Sequence, residues 1–218
     1  MLLLASVADK KIPHINVLAG PNGGGKSSIG GAALIQGKVE YFNPDEAAAQ
    51  INTANPHLSL EEAQSVAWYE GKRLLERAIA EGLDYAFETT LGGNTIASLL
   101  EQAISAGIEV RVWYVALASP ELHIARVKAR VAKGGHDIPE DRIRERYARS
   151  LSNLIRLMPG LTELRVYDNS QQADPNEGEE PQLQLILHLD RGRVRSICEL
   201  EATPNWAKPV VMAALLID

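Results

Sequence analysis

The sequence predicts an α/β fold, a parallel sheet with helices on both faces, and three observations predict it. Short apolar runs alternate with longer amphipathic stretches between residues 14 and 170, the order that sets successive strands parallel with a helix between them. Several of those runs end in polar residues, namely Asp45, Glu88-Thr89-Thr90 and Asp168-Asn169-Ser170. That is the sheet edge at which open α/β folds bind ligands. The third observation is Gly20-Pro21-Asn22-Gly23-Gly24-Gly25-Lys26-Ser27, which fits the phosphate-loop pattern G-x-x-x-x-G-K-[ST] directly after the first apolar run.

Taken in order, residues 14–19 read as a buried strand and residues 28–35 as a helix that Gly37 ends. Residues 39–42 read as a short strand leading into Asn43-Pro44-Asp45, which puts Asp45 at its C-terminal end because proline cannot continue a central strand. Residues 46–51 are helical. Ser59-Leu60-Glu61-Glu62 is a capping box opening a helix that Gly82 stops. Residues 84–90 form a strand, Asn94 caps a helix to Ala106, and residues 109–117 are the longest strand. Ser119-Pro120 starts a helix through Arg126 and Arg130. Gly134-Gly135-His136-Asp137 is a hinge-like turn, and the next helix runs from near Pro139 to about Met158. A strand at 164–170 follows, then an exposed linker at 171–181. Residues 182–190 and 193–200 flank Arg191-Gly192 as a β-hairpin, and a short C-terminal helix begins at Ala202-Thr203-Pro204. The expected organisation is a catalytic core over residues 1–170, with a helical lid at about 119–158, and a hairpin and helix at 182–218 packed on it. Trp68 and Trp113 are read as packing residues.

At 218 residues, 45% hydrophobic and 23% charged, the chain can bury one good core. Its net charge of -6 gives no global field to attract nucleic acid or an anionic membrane, so neither is an expected partner. The single cysteine, Cys198, excludes an internal disulfide and suits a reducing, cytoplasmic setting. Met1-Leu2-Leu3-Leu4-Ala5 lacks the basic start and long apolar region of a signal peptide, and no apolar run approaches a membrane span.

Phosphoryl transfer needs a phosphate cradle, a metal, a base and positive charge on the migrating group, and the chain has a candidate for each. Residues Pro21, Asn22, Gly23, Gly24, Gly25, Lys26, Ser27 and Ser28 form the cradle: Lys26 bridges the terminal phosphates and Ser27 places its hydroxyl on Mg²⁺. Asp45 is the best base, with a helix cap or the metal's outer shell as its other readings. Glu88, Thr89 and Thr90 suit a clamp on sugar or alcohol groups, or are simply a solvated strand end. Arg126 and Arg130 stand four apart on one helix, and Arg142, Arg146 and Arg149 form an i, i+4, i+7 stripe on the next. With Gly134-Gly135 between them, these helices read as a lid that closes Arg130 and Arg142 or Arg146, with Arg126 next, onto the γ-phosphate. Such an arginine is worth about 10³ to 10⁵ in rate. Glu140, Asp141 and Glu145 can neutralise part of the stripe. His136 reads as a residue that orders the turn, and Asn169, with Asp168 and Ser170, as a border of the adenine pocket. His14, His57, His123 and His188 show no metal-ligand spacing.

Together these residues resemble the zeta-toxin family of P-loop kinases, and most closely its chromosomal relatives. The matching pieces are Ala19 to Ser27, Phe42-Asn43-Pro44-Asp45, Phe87-Glu88-Thr89-Thr90-Leu91, Arg126-Val127 with Arg130-Val131, Gly134-Gly135-His136-Asp137-Ile138-Pro139, and Tyr167-Asp168-Asn169-Ser170. The resemblance implies a P-loop kinase fold using ATP and Mg²⁺, with Lys26 on the phosphates, Asp45 as base, Glu88-Thr89 near the acceptor and lid arginines on the γ-phosphate. Zeta toxins phosphorylate a 3′-hydroxyl of the amino sugar in UDP-N-acetylglucosamine and are held off by an antitoxin. The expectation is therefore an ATP-dependent kinase of a small-molecule hydroxyl, with a UDP-amino sugar as one acceptor and an antitoxin as a partner. The alternatives are a kinase of another small molecule, such as a drug or nucleotide, and a nucleotide-binding ATPase or regulatory module without transfer. ABC-type ATPases share the loop, but their Leu-Ser-Gly-Gly-Gln-like signature and Asp-Glu strand end are absent.

Overall fold

The computed structural model describes residues 12–26, 41–171 and 183–217. Strand β1 (His14–Ala19) has Ile15, Val17, Leu18 and Ala19 shut from solvent on both faces, which is the pattern of a central parallel strand. It lies between β2 (Tyr85–Thr89) and β3 (Glu109–Ala116), parallel to both, and β3 pairs in parallel with β4 (Glu163–Asp168). Two antiparallel strands, β5 (Gln184–Asp190) and β6 (Arg193–Ile197), complete a six-stranded sheet of order β2-β1-β3-β4-β5-β6. The predicted hairpin is thus an extension of the main sheet, closed by Arg191 and Gly192 at φ 49° and 74° in a two-residue turn. Because β2 and β3 lie on opposite sides of β1, the chain reverses its strand order there. The ligand crevice of such a sheet opens at that point, beyond the C-terminal ends of β1 and β3.

Helices α1 (Pro44–Ala54) and α2 (Leu60–Glu81) connect the outer edge to β2; α3 (Asn94–Ser105), α4 (Pro120–Val131) and α5 (Glu140–Leu157) follow, with α6 (Lys208–Ala214) last. The main core packs one sheet face, through Val17, Val112, Tyr114 and Val166, against Ala97 and Leu100 of α3, Leu154 and Leu157 of α5, and Val210 and Val211 of α6. Leu18 and Val115 on the opposite face are equally buried, with Tyr41, Trp113 and Tyr167 around them. Among the described residues no helix is long and apolar enough to cross a membrane.

The local punctuation behaves as its chemistry demands. Ser59 and Glu62 cap each other's backbone, Gly82 ends α2 in the left-handed conformation, and the Ser119 side chain accepts from Leu122 N. Four expectations are corrected. Asn94 does not cap α3: Gly93 is the N-cap and makes no side-chain bond. The C-terminal helix starts at Lys208, after a turn through the Thr203 region, because Thr203 spends its hydroxyl on the carbonyls of Cys198 and Glu199. Asp45 lies inside the first turn of α1, which Asn43 caps by accepting from Asp45 N, and not on a strand end. Trp68 is 41% exposed on α2, edge-on to the still more exposed Tyr69, and is not a core residue. Of the expected strand at 39–42, Phe42 makes one parallel bridge to Phe87, while the predicted helix at 28–35 and most of the linker lie outside the described residues.

Candidate active site

The glycine-rich loop leaves β1 through a bend that only glycine fits. Gly20 has φ 135°, and a Cβ on it would lie 2.0 Å from the carbonyl oxygen of Val115 on β3. Gly23 and Gly25 also take positive φ, at 80° and 85°. That alternation turns successive amides toward one concavity, the geometry of an anion nest. Among the described residues the amides of Asn22, Gly23 and Gly25 have no backbone acceptor, whereas Gly24 N donates to Pro21 O. Ser27 and Ser28, the expected metal and phosphate hydroxyls, lie outside the described residues.

Lys26 closes the loop. Its ammonium is 6% exposed, donates to Gly20 O at 2.7 Å and Pro21 O at 3.1 Å, and stands 3.6 Å from Glu88 Oε1. Burial lowers its pKa, against the pull of Glu88 and Asp45, which both favour the charged form. Two loop carbonyls and the Glu88 carboxylate hold this buried cation, and its burial strengthens its attraction for a further anion.

The expected acceptor-side residues lie next to it. Glu88 is buried at the end of β2. Thr89 O accepts from Gly20 N, which ties the two strand ends together. The hydroxyls of Thr89 and Thr90 accept from the amides of Leu91 and Gly92 and so shape the turn, leaving each O–H as a donor. Leu91 adopts φ 55°, a left-handed conformation that costs a leucine on the order of 1 kcal/mol. Helix α5 holds the turn in place: Ser150 Oγ donates to Thr90 O at 2.7 Å, and Asn153 Nδ2 donates to Leu91 O at 2.8 Å and Gly93 O at 3.3 Å.

The arginines divide by task. Arg146, one turn before Ser150 on α5, donates to Asn22 Oδ1 at 3.0 Å, and burial lowers its pKa, with Arg142 adding to the effect. Arg130 bonds to His136 O at 2.9 Å and stands 3.9 Å from the exposed Asp45 carboxylate. Arg142 is exposed and makes no hydrogen bond or ion pair among the described residues. Arg149 pairs with Glu145. Arg126 faces elsewhere: it donates to Asn169 O at 2.7 Å and Gln171 O at 3.4 Å, securing the turn after β4. Asn169 is buried there and its Nδ2 donates to Gly24 O at 2.9 Å. Lys26, Glu88 and Arg146 therefore meet at the glycine loop, Asp45 and Arg130 lie within electrostatic reach of Lys26, and Asn169, whose carbonyl Arg126 holds, braces the loop at Gly24.

One supporting residue, His123, carried no sequence signal of its role, and a second, His136, did. His123 of α4 is fully buried and reaches both Asn22 O and Leu117 N. His136, expected to order its turn, does so through a 2.6 Å contact between its Nε2 and Gln64 Nε2 of α2, where the ring nitrogen accepts.

The model of the Zeta toxin family matches residues 4–175. An uncharacterized protein of Haemophilus influenzae is 36% identical over 129 residues, which is 59% of this chain and 88% of that protein. Among solved structures, the AvrRxo1-ORF1:AvrRxo1-ORF2 complex with sulphate ions superposes at TM-score 0.63 with 16% identity, over 94% of this chain and 65% of that one. The same complex with ATP gives 0.61 and 14%, over 94% and 64%. A chain of the PezAT chromosomal toxin-antitoxin system of Streptococcus pneumoniae gives 0.54 and 16%, over 80% and 75%. At these identities the superpositions establish the common fold, a P-loop kinase-like α/β sheet.

Proposed function

The chain belongs to the Zeta toxin family, and from that premise we propose that it is an ATP-dependent phosphotransferase acting on a hydroxyl of a small molecule. The observation that carries this reading is Lys26, buried in a glycine loop 3.6 Å from Glu88, its charge also favoured by the carboxylate of Asp45, which pairs with Arg130. A site that only stored nucleotide has no use for a second, exposed carboxylate within electrostatic reach of its cation.

In this reading the loop amides and Lys26 bind the β- and γ-phosphates of ATP. The carboxylate of Asp45 takes the proton of the acceptor hydroxyl as its oxygen bonds to the γ-phosphorus. The bond from that phosphorus to the bridging oxygen breaks, and ADP leaves. Arg130, Arg142 and Arg146 offset the charge that spreads over the γ-oxygens, while Glu88 and the Thr89 and Thr90 hydroxyls orient the acceptor. No cluster of three metal-ligating side chains exists among the described residues. Mg²⁺ keeps its waters and binds largely through phosphate oxygens; Ser27 would hold it, and it would neutralise charge on the phosphates. A UDP-amino sugar such as UDP-N-acetylglucosamine is the acceptor suggested by the family resemblance, and an antitoxin protein the partner suggested by the PezAT likeness.

The test is transfer of label from γ-³²P-ATP and Mg²⁺ to a panel of UDP-sugars, free sugars and nucleosides. Label in one acceptor class, lost in Lys26→Ala, supports the proposal and names the acceptor. ATP binding without transfer to any acceptor, or to water, would reduce the protein to a nucleotide-binding module.

A further inference from the structure

We propose that His123 is a positioning residue for the phosphate loop, a neutral imidazole that ties the loop after β1 to the chain leaving β3. The inference rests on the reading that this loop binds a triphosphate. His123 sits at the reversal point of the sheet. Its Nε2 lies 3.1 Å from Leu117 N and its Nδ1 2.7 Å from Asn22 O. A backbone amide can only donate, so Nε2 is the bare acceptor, and Nδ1 carries the proton and donates it to Asn22 O. The two bonds thus select one tautomer and one charge state.

The loop also rests on this residue sterically. A Cβ at Gly23 would come within 2.7 Å of His123 O, and one at Gly24 within 3.5 Å of its Cε1. The ring packs edge-on against Tyr147 of α5 with centroids 5.4 Å apart, and the Tyr147 hydroxyl donates to Leu117 O. Other side chains hold the loop too: Arg146 takes the Asn22 side chain and Asn169 the Gly24 carbonyl. His123 alone among these side chains bonds both banks of the crevice, so it fixes their separation. Burial opposes its protonation; Lys26 and Arg126 oppose it as well, and Asp168 favours it.

The experiment compares ATP and inorganic triphosphate affinity, by calorimetry at a temperature well below melting, in wild type and in His123→Leu, His123→Asn and His123→Gln. Losing both bonds in His123→Leu should weaken both probes by about tenfold or more, the effect of a buried hydrogen bond on a geometry-sensitive site. Asparagine can present an N–H near the Nδ1 position, whereas the glutamine amide reaches past it toward Leu117. His123→Asn should therefore bind at least about fivefold more tightly than His123→Gln, a comparison that stands even if the leucine variant does not fold. Tyr147→Phe, which loses the Leu117 O bond without touching the loop, should melt lower with triphosphate affinity unchanged. Wild-type affinity in His123→Leu, or equal affinity in the asparagine and glutamine variants, overturns the inference. A wild-type protein that bound neither probe would instead overturn the phosphate-loop reading beneath it.

Discussion

The indole N–H of Trp206 donates to Asp168 Oδ2 across 2.6 Å in the protein interior. The same carboxylate accepts from the amide and hydroxyl of Ser170, and Asn169, held between them, grips the glycine loop. A residue beyond the family-matched segment thereby sets the strand end that braces the site. Trp206→Phe keeps an aromatic ring in the core and removes the donor. It should cost about 1.5–3 kcal/mol, the value of a hydrogen bond to a charged group, and lower the melting temperature by roughly 3–12 °C for a chain of this length. ATP affinity should fall a few-fold. Unchanged melting and binding would mean that the contact is energetically idle.

Asp45→Asn keeps shape and removes basicity. Label transfer should fall by about 10² to 10⁴ while the ATP dissociation constant moves by no more than a few-fold. A variant that still transfers at the wild-type rate would assign the proton to another group.

Burial holds His123 neutral, with its pKa lowered from 6.5 to about 4. In the unfolded chain it titrates at its ordinary value, so between these two pH values the unfolded state binds the extra proton and stability falls as pH falls. The wild type should lose roughly 2 kcal/mol more than His123→Gln between pH 7 and pH 5, read from urea unfolding at each pH. Parallel stability profiles for the two proteins would contradict a buried neutral imidazole.

Asn153→Ala strips the donor from the carbonyls of Leu91 and Gly93. The expected cost is about 1–3 kcal/mol of stability, with a raised KM for whichever acceptor takes label and ATP affinity within twofold. An acceptor KM equal to that of the wild type would detach this turn from acceptor binding.

The parts of the site legible in the sequence are those whose physics is local. A glycine loop before a lysine, the reciprocal cap of Ser59 and Glu62, and the left-handed Gly82 each depend on residues a few positions apart. The contacts without a local pattern join distant stretches: His123 and Asn22 are 101 residues apart, Arg146 and Asn22 124, and Asn169 and Gly24 145. Arg126 shows the same limit. Its spacing from Arg130 is helical, yet the carbonyl it bonds, that of Asn169, belongs to another strand's end. The bonds that the Thr89 and Thr90 hydroxyls accept have no compositional mark, because they belong to a turn with Leu91 in the left-handed conformation.

Helix α5 carries the fastenings of both halves of the site, Arg146 on the phosphate loop and Ser150 and Asn153 on the turn beyond β2. In the proposed reaction, donor and acceptor would therefore draw on one shared degree of freedom, the seating of that helix. Linkage makes the debt mutual: whatever factor one bound molecule adds to the other's affinity by steadying α5, it receives back in full.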